Sequence, residues 1–82
     1  MCTLIELPGD TSATIREVVA HGANDTIAVR LGELGFVQGE PVRVVAKGPI
    51  GGDPLLVQIG YTRFALRRAE AARVVVEADA AP

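Results

Sequence analysis

The side chains able to do chemistry in this chain are few and far apart. It holds one histidine, His21, and one cysteine, Cys2. A catalytic thiolate needs a base within reach, and Cys2 stands at a terminus prone to fraying and forms no ordered cysteine-histidine pair. A metal site needs several convergent ligands, and His21 has no other ligand type at a suitable spacing. The ten acidic residues are scattered singly among basic ones, so no carboxylate pair sits near a histidine, and no serine stands in an elbow that would expose it as a nucleophile. Residues 48–54 (GPIGGDP) are as glycine-rich as a phosphate cradle. They lack the Gly-Lys-Ser/Thr that makes such a loop hold a nucleotide, and they read as a long hairpin connection. The expectation is a module that binds or regulates, with no enzymatic activity, no cofactor and no ferrous iron or zinc site in the monomer.

Composition narrows the scaffold. At 82 residues, 49% apolar and 22% charged, the chain is one globular domain near the size where a single core only just suffices. With no tryptophan and 4% aromatic residues, that core is built from Val, Leu, Ile and Ala. A net charge of −2 argues against a dedicated nucleic-acid binder. One cysteine permits no internal disulfide and points to a reducing compartment. No apolar run approaches the ~18 residues needed to span a bilayer, and the N-terminus lacks the layout of a signal peptide. A soluble, cytoplasmic, monomeric protein is expected.

The organising stretch is residues 24–40, NDTIAVRLGELGFVQGE. Asn24 or Asp25 can cap a helix, and Ile27, Leu31 and Leu34 follow at helical spacing with Arg30 and Glu33 turned away. Gly35 sits where a left-handed residue would stop the helix. Phe36 then falls where its side chain folds back onto Leu31. Gly32 inside the helix is costly, and close packing against a strand is the favoured explanation; the other is a flat site for a partner's backbone.

The remaining elements read as short strands. Residues 3–6 have the spacing of a capping box around one helical turn, with Leu4 and Leu7 as a lid on the core. Residues 13–20 form a first strand with Ile15 buried. Residues 41–47 alternate Val42, Val44 and Ala46 against an outer face of Arg43, Val45 and Lys47. Residues 55–60 and 62–66 make a hairpin through a II′ turn at Gly60-Tyr61. Its register places Val57 opposite Phe64, both buried, and Gln58 opposite Arg63, both exposed. A helical turn over residues 67–73 and a closing strand at 74–76 complete a domain of residues 1–77, with 78–82 as a disordered tail. Five short strands and one docked helix suggest a small, strongly bent barrel.

Arg30-Leu31-x-x-Leu34-Gly35-Phe36 with Gly39 resembles the FeoA family, ferrous iron transport protein A. So do Leu4-x-x-Leu7-Pro8-Gly9, Gly52-Asp53-Pro54, Gly60-Tyr61 with Ala65-Leu66-Arg67, Glu70-Ala71 and the strand 74–76. The resemblance spans roughly residues 4–77 and implies a five-stranded Src-homology-3-like barrel with one α-helix inserted after the first strand. It further implies a cytosolic accessory of bacterial ferrous iron uptake, whose partner is the cytosolic GTP-binding region of the FeoB transporter. The alternative from the residues is a small nucleic-acid-binding barrel using Arg43, Lys47, Arg63, Arg67, Arg68 and Arg73. Few aromatic platforms (Phe36, Tyr61 and Phe64) and the negative net charge weigh against it. A barrel of this kind also occurs in iron-dependent repressors, but the DNA-reading helices are absent. The candidate partner-binding residues are Arg30, Gly32, Glu33, Val37 and Gln38, the outer face of the helix and the turn after it.

Overall fold

The structure, a computed structural model, describes residues 1–79. The chain opens with a two-residue strand β1 (Cys2–Thr3) and a 3-10 turn (Leu4–Glu6), followed by β2 (Thr11–Val18) and helix α1 (Thr26–Glu33). Strands β3 (Pro41–Gly48), β4 (Gly52–Ile59) and β5 (Thr62–Leu66) come next, then a one-turn helix α2 (Arg68–Ala71) and β6 (Val74–Ala78). All strand pairs are antiparallel, in one sheet of order β1-β6-β2-β3-β4-β5.

The sheet has six strands where five were expected, the extra one being β1, which pairs Cys2 with Val76 and Thr3 with Val75. It is bent but not closed by hydrogen bonds, because β1 and β5 remain edges. A bulge between Ile15 and Glu17 in β2 and another between Val44 and Ala46 in β3 supply the bend, since an extra residue on one strand sharpens the local twist. The second bulge also corrects the expected alternation of residues 41–47. Val42 and Val44 are buried, but Ala46, one residue out of phase, is exposed.

Where pattern and turn chemistry agree, the register is as read. Ile59 faces Thr62, Val57 faces Phe64 and Leu55 faces Leu66, with Gln58 against Arg63 and Leu56 against Ala65. Gly60 has φ +58, as the first central residue of a II′ turn requires. Burial is less clean than expected: Phe64 and Gln58 are both intermediate. The long connection over residues 48–54 is mostly strand, since β4 begins at Gly52 and only residues 49–51 lie between β3 and β4. Closure is tight because a Cβ on Gly48 would fall 2.6 Å from Asp53 C and 2.7 Å from Pro54 N.

The core is aliphatic apart from Phe36, with Leu4, Ile15, Val44, Val57, Val74 and Val76 sealed from solvent. Leu4 and Leu7 close one end as a lid, held by the capping box in which Thr3 N and Oγ1 donate to Glu6 Oε1 at 3.1 and 3.3 Å. Helix α2 packs on β4, β5 and the 3-10 turn, and α1 meets α2 and β2. Strand β6 passes the expected domain edge at residue 77, and Asp79 N donates to Ser12 O at 3.1 Å. Residues 80–82 of the expected tail lie outside the described residues.

Candidate functional site

The helix begins at Asp25, whose Oδ1 accepts from Ile27 N and Ala28 N at 3.1 and 3.2 Å. Its Oδ2 accepts from His21 N at 2.7 Å and from Arg73 Nε at 2.6 Å. The Asp25 side chain is only 4% exposed and that of Arg73 12%. The Arg73 hydrogen bond, aided by the His21 amide, holds the Asp25 carboxyl far below the usual carboxylate range. One carboxylate thus ties the loop before α1, the first turn of α1 and the start of β6 together. Sequence reading allowed either Asn24 or Asp25 as cap and counted Arg73 among surface cations; the structure selects Asp25 and takes Arg73 inside.

The helix stops as its glycine requires. Gly35 has φ +111, its N–H donates to Gly32 O at 3.1 Å, and Phe36 N donates to Leu31 O at 3.0 Å, the paired bonds of a Schellman motif. Phe36 is driven into the core at 1% exposure and meets Phe64 of β5 with ring centroids 5.4 Å apart, tilted by 57°.

Between α1 and β5 this leaves an open groove of about 450 Å³, walled by Ile27, Arg30, Leu31 and Leu34 on one side and by Phe64, Ala65 and Leu66 on the other, with Thr26 and Glu70 at its ends. Positions 27, 30, 31 and 34 are one helical face. Of these only Leu31 is fully buried. Leu34, expected in the core, is 38% exposed: it is the C-cap, where the chain leaves the helix, and it overhangs the groove. Phe64 is half-buried for the same reason. A helical apolar stripe does not distinguish core from groove, so the sequence pattern could not separate them.

Of the sequence-derived candidates, Arg30, expected to turn away from Ile27, Leu31 and Leu34, instead lines the groove with them. Gly32, Glu33, Val37 and Gln38 lie beside it, on the outer face of α1 and the following turn. Glu33, Val37 and Gln38 are exposed, Val37 by 48%. A Cβ on Gly32 would meet nothing within 4 Å, so the close packing favoured as its explanation is absent. The other lining residues, Thr26, Ile27, Leu31 and Leu34 on the helix side and Phe64, Ala65, Leu66 and Glu70 opposite, are those that sequence reasoning missed as site residues.

Two of the six cations weighed for a nucleic-acid face are taken up by ion pairs. Arg43 pairs with Asp10, and Arg73 is engaged with Asp25. With Phe36 in the core and Phe64 half-buried, Tyr61 alone among the three aromatic residues is fully exposed. Among the described residues no group of three or more His, Cys, Asp or Glu converges, and no helix is long and apolar enough to cross a membrane.

Comparison with known proteins settles the lineage. The FeoA domain model matches residues 2–78. The chain belongs to the FeoA family. This family is associated with ferrous iron transport. The Stenotrophomonas maltophilia FeoA, a prokaryotic Src-homology-3 domain protein solved in complex with zinc, is 65% identical over 94% of this chain and 91% of its own, with a TM-score of 0.87. Iron(II) transport protein A of Clostridium thermocellum is 32% identical over 93% of this chain and 44% of its own, with a TM-score of 0.80. FeoA of Chlorobium tepidum is 31% identical over 95% and 70%, with a TM-score of 0.81. A manganese-dependent transcriptional repressor shares the fold at 16% identity and a TM-score of 0.78. No curated protein matches the sequence closely. The mainly β, Src-homology-3-like architecture implied by the resemblance is therefore that of the family.

Proposed function

We propose that this FeoA-family chain is a cytoplasmic, non-enzymatic accessory of ferrous iron uptake that docks on the cytosolic GTP-binding region of the FeoB transporter through the groove between α1 and β5. The observation that carries the reading is the groove itself. It presents Leu34, Ile27 and Phe64 incompletely buried, beside an arginine that no carboxylate among the described residues engages. An apolar floor with a charged rim is the layout of a protein-binding patch. Membership of a family associated with iron transport gives the patch its direction, and the scattered ionisable groups give no reaction to perform. Arg30, Gly32, Glu33, Val37 and Gln38 extend the docking face outward along the helix.

The test is titration of the purified cytosolic GTP-binding region with the wild-type chain, Leu34→Lys and Arg30→Glu. Because Leu34 is partly exposed and Arg30 unpaired, both variants should fold, and both should weaken binding and lower ferrous iron uptake in cells that depend on this chain. Full binding by two folded variants would remove the groove from the docking face.

A further inference from the structure

Strand β5 is an edge of the sheet, and its outer side opens on the groove. Which of its main-chain groups are free follows from the hairpin. A two-residue turn makes its flanking residues, Ile59 and Thr62, a hydrogen-bonded pair, and such pairs alternate along an antiparallel ladder. With the observed register, Thr62, Phe64 and Leu66 exchange bonds with β4. The N–H and C=O of Arg63 and Ala65 point the other way. None of the described residues bonds them from that side. Natural sheets blunt such edges with prolines, inward charges or very short strands. The opposite edge, β1, is only two residues long, whereas β5 has five residues, no proline, and Ala65 facing a groove floored by Phe64 and Leu66.

Arginines outnumber carboxylates around this edge. Arg30 lines the groove, and Arg63 and Arg67 lie along and just beyond β5; no carboxylate among the described residues pairs with any of the three. Glu70, at the groove's end, is already engaged, its Oε1 accepting from Arg67 N at 2.7 Å. The chain as a whole carries −2, so this concentration of unpaired arginine is local.

We propose that the partner binds by strand addition: an extended segment carrying carboxylates lies along β5, exchanges main-chain hydrogen bonds with Arg63 and Ala65, and sets an apolar side chain between Leu34 and Phe64. This mode takes affinity from the backbone and specificity from alternate side chains, which the groove and the arginines supply. The inference rests on the docking reading above and specifies how the docking is made.

The experiment is residue-resolved amide hydrogen exchange on the full chain, alone and with the cytosolic GTP-binding region of the transporter, with affinities measured for Ala65→Pro and Ala65→Val. Alone, the Arg63 and Ala65 amides should exchange fast and Phe64 slowly. In the complex, Ala65 should become as protected as Phe64. Ala65→Pro removes only an outward N–H, which an edge strand tolerates, and should lose about tenfold or more in affinity; Ala65→Val, which keeps that N–H, should lose clearly less than Ala65→Pro. If the wild type binds while both outward amides stay fast, strand addition is wrong and the docking reading survives. If the wild type does not bind, both fall together. Protection of Ala65 on merely concentrating the chain would assign the edge to a second copy and overturn the proposal. Undiminished binding by Arg30→Glu would overturn the acidic character of the segment.

Discussion

Replacing Gly32 by alanine should make this protein more stable, and the size of the gain can be worked out. Gly32 is helical without a positive φ, and its missing Cβ would project into open space. Alanine at such a site loses less backbone entropy on folding, a difference of about 0.5–1 kcal/mol in a helix. Unfolding entropy of about 2.1 cal/mol/K per residue over a domain of 82 residues is about 0.17 kcal/mol/K, so Tm should rise by about 3–6 °C. Thermal unfolding followed by circular dichroism gives the shift, and urea unfolding should show a higher midpoint at unchanged slope. A lower Tm would refute the reasoning, because it would mean that the glycine is needed by the fold. The same variant, with the bulkier Gly32→Leu, then tests why a destabilising residue is there. If close approach of a partner's backbone is the reason, both variants should fold well and weaken partner binding, leucine more than alanine. Unchanged binding and uptake would restrict the docking face to the groove and release Gly32 from it.

Gly48→Ala should have the opposite effect, since its Cβ would strike the backbone of Asp53 and Pro54; a loss of about 1–3 kcal/mol by urea unfolding is expected, as for overpacking. Phe64→Ala should cost about 1.5–3 kcal/mol, less than the 3–5 of a sealed core phenylalanine because the ring is half-exposed; a loss at the full core value would show that the groove is closed in solution. The Asp25 carboxyl is depressed from an ordinary value of 3.8, so below that pH the unfolded chain binds the proton that the folded chain refuses, and stability rises with pH there. Its contribution is complete above about pH 4 and lost as pH falls towards the folded value. Acid unfolding of Asp25→Asn, which keeps a capping side chain but not the charge facing Arg73, should therefore start from lower stability at neutral pH and fall less steeply below pH 4.

How far the sequence discloses this molecule depends on which residues are asked. Local chemistry was decisive wherever two signals coincided. The Gly60-Tyr61 turn and the alternation around it set one register, because a slip by one residue would turn Val57 and Leu55 to solvent. Gly35 followed by Phe36 marked the helix stop for the same reason. Legibility failed where a distant residue decides. The bulge between Val44 and Ala46 comes from how β3 must bend to pair with β4, and nothing in PVRVVAK marks it. Arg73 looked like any surface cation until Asp25, 48 positions away, was brought to it.

The groove is the sharpest case. Leu34 completes a helical stripe that begins at Ile27, and Phe64 completes an alternating strand, so each is written as a core residue. Yet the helix contributes only Leu31 to the sealed core, because Phe36, thrown inward by the Schellman turn, fills the space beneath. The ring of Phe36, just beyond α1, meets Phe64 of β5 at depth and leaves the facing sides of α1 and β5 open to the groove. A fold that needed α1 only for stability would gain by closing that gap over Leu34 and Phe64, and by an alanine at position 32. That this chain does neither puts the helix, the free edge of β5 and Arg30 on one surface, where the cost to stability of exposed apolar side chains is offset only when something else covers them.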